Sequence, residues 1–461
     1  MAFSFTDGGS MLDNERDIRI SQCMIVKNEE ANIRKALSWG KGIVWEQIVV
    51  DTGSTDRTVE IATSMGARIF HFPWVDDFAA AKNFAISQAG GQWIALLDAD
   101  EALAPGDEQK LPGIIRQLET TQAQAITTGW MQLDEAGKIM AAGTQIRIFR
   151  NLPGLSYRRR IHEQLEWKDK SPLRVADATK ELSILHTGFC GAAWEEKRVN
   201  ERNRKLILKE LEDHPGDYEM MGYLGDEYYA GGNQQEAEAW YRKAVKAMPA
   251  ALDARDQRSA VTFLHLLQIM SAGRGAAKEM QDLYRKAVSL LPEEADFDYL
   301  MGEYFAAAGA YQEGRVHLEL AIEKLEQYGC YNRAMLLNSH LKEAYERLAW
   351  CCLLTEDRER AVHYSVAVLK AQPYSMQALS ILLEAFLGKG EKPISPPEAV
   401  LGFLDQLYRQ DQLKDRLFLL RAAAGVGWKE LEGLLEQRFT QEELQSIQTI
   451  RNRERGERQG E

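Results

Sequence analysis

Cysteine is scarce in this chain of 461 residues. The five present, Cys23, Cys190, Cys330, Cys351 and Cys352, are scattered and never form a C-x-x-C pair. A disulfide framework and a zinc knuckle are thereby excluded. Basic excess is missing too. Up to residue 190 there are 21 Lys and Arg against 25 Asp and Glu, and beyond it 35 against 44. A nucleic-acid partner would need a basic footprint, so none is expected. No window approaches the ~18 apolar residues that span a bilayer, so no transmembrane segment is expected. Met1 to Asp17 holds neither a basic n-region nor an apolar h-region, which leads to the expectation of no secretory signal and a cytoplasmic address. A polar, acidic turn stands where a dinucleotide-binding fold would place G-x-G-x-x-G, and a Walker A motif is lacking. Dehydrogenase and P-loop readings lose their main support.

What is present describes a folded, multidomain protein. Apolar residues make up 45% and charged residues 27%, and the length exceeds the ~250–300 residues at which one core stops growing. From Ile18 to about Gly188, short apolar runs alternate with helical patterns. Strands are expected at Ile20 to Val26, Ile48 to Val50 and Trp93 to Leu97, with helices at Ala31 to Trp39, Thr58 to Met65 and Phe78 to Ala89. That alternation implies an α/β domain with a largely parallel sheet and its chemistry at the carboxyl ends of the strands.

After Cys190 the texture turns wholly helical. Met221, Leu224, Gly225, Tyr228, Ala237, Tyr241, Ala244 and Pro249 fit the tetratricopeptide pattern, and weaker copies follow through Leu267, Gly275, Tyr284, Ala287 and Pro292, then Gly302, Phe305, Gly309 and Ala321, then Ala361 and Pro373. The expected division is a flexible N-terminus at 1–17, a catalytic domain at 18–191, a linker helix at 192–214, an all-α solenoid of repeats at 215–396, and a helical cap with a solvated tail at 397–461.

Three strand exits carry the chemistry. The run W-I-A-L-L from Trp93 ends in Asp98-Ala99-Asp100-Glu101. On a strand, Asp98 and Asp100 would share one face, and two carboxylates so close call for a cation. Capping of a helix near Pro105 is the plainer reading of an isolated D-x-D. The run V-V-D-T-G-S-T-D places Asp51 at a strand end before a Gly-containing turn and a helix start. Turn chemistry explains Gly53 to Asp56 but not Asp51. The first strand exits through Val26-Lys27-Asn28-Glu29-Glu30.

These motifs, with Ala81-Lys82-Asn83 between the second and the last, resemble in order and spacing the family 2 glycosyltransferases of GT-A fold, over roughly residues 18–190. The resemblance implies a UDP-sugar donor: Val26 and Glu29 at the nucleoside, Asp51 at the uracil, Lys82 near the base or diphosphate, Asp98 at the ribose, Ala99 between the two acids, and Asp100 on Mn2+ or Mg2+ bridging the diphosphate. Lys82 stands where many relatives carry Arg, so the charge survives without the bidentate fork.

A subgroup of such enzymes bears I-H-E and H-x-G segments, similar to Ile161-His162-Glu163 and His186-Thr187-Gly188. By that similarity His186 joins Asp100 at the metal, and Glu163, with His162 beside it, is the candidate base, Asp134 being the reserve. Arg147, Arg150 and Arg158 to Arg160 are either a diphosphate or acceptor contact or a solvated loop face. The aromatics of Phe72 to Phe78 either border the donor or pack at a helix entrance.

The appended repeats resemble those joined to family 2 domains in bacteriocin peptide S- and O-glycosyltransferases. That implies an inverting hexosyltransferase acting on Cys, Ser or Thr of a peptide or protein, as a homodimer. A lipopolysaccharide or surface-glycan transferase is the alternative, and a non-catalytic scaffold the alternative of another class.

Overall fold

The computed structural model describes residues 18–187 and 201–445, apart from positions 254, 255, 257, 273–276, 329–334 and 391. The chain divides into two compact units, Met1–Gly231 and Gly232–Glu461.

In the first unit β1 (Ile20–Val26), β2 (Glu46–Asp51), β3 (Arg68–His71) and β4 (Trp93–Leu96) are parallel, in the order β3-β2-β1-β4. Helices α1 (Ile33–Ser38), α2 (Thr58–Ser64) and α3 (Phe78–Ser87) lie in the crossovers. Successive strand residues point to opposite faces, and here both faces are covered. Met24, Val26 and Val49 pack with Ile33, Leu37 and Ala62, whereas Cys23, Ile48 and Val50 pack with Ala79 and Ala85. Continuous apolar runs are the sequence form of such strands.

Beyond β4 come β5 (Glu101–Leu103), α4 (Asp107–Leu118), β6 (Ala125–Leu133), β7 (Ile139–Arg150), a separate hairpin of β8 (Leu155–Arg158) and β9 (Gln164–Trp167), β10 (Val175–Asp177) and β11 (Ser183–His186). The sheet order is β3-β2-β1-β4-β7-β6-β11-β5, with β10 beside β6. The sheet is largely parallel, as expected, and mixed at its far side, where β7 is antiparallel to β4 and β6, and β5 to β11. For β6 and β7 the physical reason is local. Gly137 (φ 79°) closes a short turn in which the Asp134 carbonyl accepts from its N–H at 3.0 Å, and a chain reversing so tightly pairs antiparallel. The helix expected near Pro105 begins at Asp107, after a strand.

Two helices complete this unit, α5 (Arg202–Asp213) and α6 (Tyr218–Ala230), the latter capped by Asp217, which accepts from the Met220 N–H at 3.0 Å. The boundary expected near residue 191 lies outside the described residues, as do Gly188, Gly275 and the termini at 1–17 and 451–461.

The second unit is helical throughout its described residues: α7 (Gln234–Ala247), α8 (Ser259–Ala272), α9 (Ala277–Leu290), α10 (Ala295–Ala307), α11 (Tyr311–Tyr328), α12 (Met335–Ser339), α13 (Leu341–Leu354), α14 (Arg358–Ala371), α15 (Met376–Leu387), α16 (Pro397–Leu404), α17 (Leu413–Gly425) and α18 (Lys429–Glu436). Small residues let paired helices approach. A Cβ on Gly302 of α10 would lie 2.6 Å from Leu318 Cγ of α11. Beneath them the carboxylate of Asp298 is fully buried, held by Lys324 Nζ at 2.6 Å and the Tyr284 hydroxyl at 2.5 Å. The terminal helices close around Trp428, Leu431 and Leu435. No helix among the described residues is long and apolar enough to cross a membrane.

Candidate functional site

The exits of β1 and β2 form one lattice. The Val26 carbonyl accepts from the Thr52 N–H at 2.9 Å and its hydroxyl at 3.0 Å. Asn28, in the left-handed region at φ 57°, accepts from the Thr55 N–H at 2.8 Å and donates its own N–H to the Ser54 hydroxyl at 3.0 Å. Glu29 donates its N–H to Thr58 Oγ1 at 2.7 Å and accepts from the Asn32 amide at 2.8 Å. The two motifs therefore share a folding task, fixing the crevice that they line. In it Asp51 is buried, accepting from Ser54 N–H at 2.9 Å and Gly53 N–H at 3.2 Å, with His71 Nδ1 at 3.4 Å. Burial works to raise its carboxyl, but these donors outweigh it and hold it below the usual range. Sequence reasoning missed His71. Only the β2–β3 register, which sets it opposite Asp51, reveals it.

A cluster of charges lies at the end of β4. Lys82, on α3 and 2% exposed, reaches Asp98 Oδ1 at 3.3 Å and pairs with Glu163. Arg147, from β7, reaches Asp98 Oδ2 at 3.0 Å and Glu101 Oε1 at 2.8 Å. Burial disfavours both cations, yet the facing carboxylates hold them above their ordinary range. Burial likewise opposes ionised Asp98, and the two cations overcome it, keeping its carboxyl far below the usual range. Tyr157 lies under the Lys82 ammonium, 5.5 Å from ring centroid to Nζ. Asn83 explains the rest of its motif: it brackets Tyr157, donating to the carbonyl and accepting from the N–H, both at 2.8 Å.

Asp98 and Asp100 do not share a strand face, which corrects the sequence reading. β4 stops at Leu96, the acids fall in a turn, and they diverge. Asp98, its side chain 36% exposed, is held by Lys82 and Arg147. Asp100 Oδ2 stands 3.4 Å from His186 Nε2. Gln132 Oε1 meets His186 Nδ1 at 2.7 Å. With Nδ1–H donating to that oxygen, Nε2 turns a lone pair toward the carboxylate. Two acceptors that close repel unless a proton or cation stands between them. Among the described residues no third His, Cys, Asp or Glu joins them. A hard divalent ion that takes most of its shell from a phosphorylated substrate fits this pair of donors.

His162 and Glu163 lie in the loop between β8 and β9. His162, at φ 52°, stacks on Tyr223 of α6, ring centroids 3.6 Å apart, and Glu163 is the carboxylate on Lys82. Arg159, at φ 75°, forks onto Asp217 at 3.0 and 3.2 Å and also bonds Glu219, while Arg160 reaches Asp213 at 2.7 Å. The basic concentration is thus neither a solvated face nor a diphosphate clamp as a whole. Arg150 holds Glu119 at 2.8 Å and Arg158 holds Glu166 at 2.7 Å, leaving Arg147 alone on the D-A-D turn. The aromatics at 72–78 pack at the α3 entrance, with Phe72 on Phe84 at 5.2 Å and Trp74 on Phe78 at 4.8 Å. Asp134 lies in the β6–β7 turn, accepting from Ala136 and Lys138 N–H groups at 2.9 and 2.8 Å.

Residues 21–179 match the profile described as Glycosyl transferase family 2. A TPR repeat-containing protein of Synechococcus elongatus is 31% identical over 314 residues, which cover 67% of this chain and 74% of that protein. The chain belongs to the family 2 glycosyltransferases, with tetratricopeptide repeats appended. This glycosyltransferase is also similar to the SPbeta prophage-derived glycosyltransferase SunS of Bacillus subtilis, at 26% identity over 53% of this chain and 56% of SunS. Among solved structures, glucosyl-3-phosphoglycerate synthase from Mycobacterium tuberculosis, in complex with Mn2+, UDP and glucosyl-3-phosphoglycerate, is 25% identical over 25% of this chain and 44% of that one, with a TM-score of 0.22. The glycosyltransferase thus spans about half the length of these last two proteins.

Proposed function

We propose that this enzyme moves a hexose, with inversion, from a UDP-sugar to a Cys, Ser or Thr side chain of a peptide or protein, and that it requires Mn2+ or Mg2+. The observation that carries the donor half is the division of labour at the D-A-D turn. Asp98 is locked as an ionised, partly open acceptor beside Lys82 and Arg147, while Asp100 and His186 present a carboxylate and an imidazole toward one point. On this reading Asp51, held by Ser54, Gly53 and His71, accepts from the uracil, Val26 and Glu29 frame the nucleoside, and Ala99 spaces the two acids at the ribose.

A divalent ion at Asp100 and His186 would neutralise charge on the departing diphosphate. The chain's own residues do the rest. Lys82 orients Asp98 and Glu163 together, and Glu163, held in place by that pairing, takes the proton from the acceptor hydroxyl or thiol. The acceptor atom bonds to the anomeric carbon as the bond to the diphosphate breaks. His162, fixed on Tyr223, sets the backbone that delivers Glu163.

The acceptor half rests on the tetratricopeptide repeats, a class of surface suited to extended peptides, and on the similarity to SunS. A homodimer and a cytoplasmic address belong to the same reading. The test is calorimetry of Mn2+ and UDP binding in wild type, Asp100→Asn and His186→Ala. The reading expects metal affinity to fall about 10–100-fold in both variants, and unchanged affinity in His186→Ala removes the histidine from the site. Transfer to a lipid-linked glycan and to no peptide would reassign the acceptor.

A further inference from the structure

β7 is the longest strand of the sheet, and part of it is paired on one side alone. β4 runs beside it from Trp93 opposite Arg150 to Ala95 opposite Ile148, and then ends. On its other side β6 continues the full length, to Leu133 opposite Ile139. From Arg147 back to Ile139, no backbone group among the described residues bonds to β7 across the lane that β4 occupied.

Three features set this edge apart. It is open: Ile139 and Met140 are 52% and 64% exposed, and Ala142 to Gln145 are exposed as well. It lacks two of the devices that guard an edge, for I-M-A-A-G-T-Q-I holds no charge and no proline, while the register against β6 shifts only at the two ends of the stretch, at Met140 and at Arg147. The opposite edge of the sheet half, β3, is by contrast four residues long and bears Arg68 and His71. It also leads into the site. The chain that vacates the lane does so at Leu97, and the next residue is Asp98, tied back to β7 through Arg147 at 3.0 Å. A strand laid in the lane would end against the Asp98–Asp100 turn.

We propose that this edge docks the acceptor, which adds to β7 as an extended strand and thereby brings its nucleophilic side chain to the donor site. The proposal rests on the reading that the acceptor is a polypeptide. A row of peptide N–H and C=O groups is matched in spacing by another peptide backbone, not by a glycan. Eight residues of strand extend roughly 27 Å, enough for a peptide strand of ordinary length. Ala141, Ala142 and Gly143 leave room for the guest's side chains, and a Cβ on Gly143 would meet nothing within 4 Å. A second copy of the chain is the poorer occupant, because a self-complementary pairing of two β7 edges would lay each hairpin across the other's Asp98–Asp100 turn.

The test uses the full chain with a library of unstructured decapeptides, each with one Ser, Thr or Cys, and UDP-sugars as donors. Peptides glycosylated by mass spectrometry are then resynthesised with single backbone N-methyl groups, and amide exchange of residues 139–147 is followed with and without peptide. The expected result is that edge amides slow about tenfold on peptide binding and that N-methylation at alternate positions lowers kcat/KM about tenfold, with UDP-sugar hydrolysis unchanged. Peptides that are modified while the edge exchanges as before, with no alternation, overturn the docking edge and leave the polypeptide acceptor standing. Edge protection that grows with protein concentration without peptide overturns it in favour of a second copy. Transfer to a lipid-linked glycan and to no peptide overturns the acceptor reading itself, and the edge proposal with it.

Discussion

Removing the Lys82 ammonium tests the charge cluster most directly. In Lys82→Met the side-chain volume is nearly kept while a buried cation is lost from between two carboxylates. Asp98 retains Arg147 at 3.0 Å, but Glu163, its side chain 13% exposed, loses the lysine that it is paired with. Breaking a buried pair from one side costs about 3–5 kcal/mol, because the remaining charge stays desolvated. For a unit of this size each kcal/mol lowers Tm by roughly 2–4 °C, so a fall of about 6–20 °C is expected. Adding Glu163→Gln to Lys82→Met removes the stranded charge, and the pair should show a coupling of about 0.5–3 kcal/mol toward recovery. Scanning calorimetry that follows the transition shifted by UDP reads both quantities. If Lys82→Met melts within about 1 °C of wild type, or the double variant is no more stable than the single one, the cluster does not have the energetics that its geometry implies.

Arg159→Ala should destabilise the first unit by about 3–5 kcal/mol, since its partly buried fork holds Asp217 and Glu219. Hydrolysis kinetics beside UDP calorimetry should show kcat falling with UDP affinity intact, and an unchanged kcat would detach the loop from the chemistry. In the second unit, burial raises the Asp298 carboxyl, but donors from His317, Lys324 and Tyr284 outweigh it, so its folded value is depressed. Its contribution is therefore present above about pH 4 and lost as pH falls through the folded value. Denaturation at a series of pH values should show Asp298→Asn less stable than wild type at pH 7, with the gap closing in acid, and a gap constant with pH contradicts the assignment. Gly302→Ala forces a methyl against Leu318 and should cost about 1–3 kcal/mol in urea unfolding. Equal midpoints would mean that α10 and α11 can part without penalty.

The half of the sheet that was legible in sequence was legible for a reason. β1, β2 and β4 are buried on both faces, so each carries an apolar run, interrupted in β1 only by the buried Ser21 and Gln22, and the intervening helices close on Gly66 and open on Asp77 with ordinary capping chemistry. β6 and β7 escaped because they are part exposed, rich in Thr, Gly and Ala, and joined by a turn whose D-E-A-G signal is weak. At the site, Asp51, Lys82, Asp98 and Asp100 stood out as charges at the ends or flanks of buried elements. His71 did not, because it lies 20 residues from Asp51, and Arg147 stood out only within a basic run, because its pairing with Asp98 spans 49 residues.

The sequence by itself determined the family, the two-part organisation and which acids stand at the strand ends, since local pattern and ordered motifs carry that information. Tertiary structure alone decided which side chains each acid meets. Because β4 stops at Leu96, Asp98 turns to Lys82 and Arg147 while Asp100 turns to His186, and a motif that reads along a strand as one pair of carboxylates meets two separate sets of partners. Among the described residues, the same early stop leaves the edge of β7 unpaired beside them, a feature that exists between strands and is written in none of them.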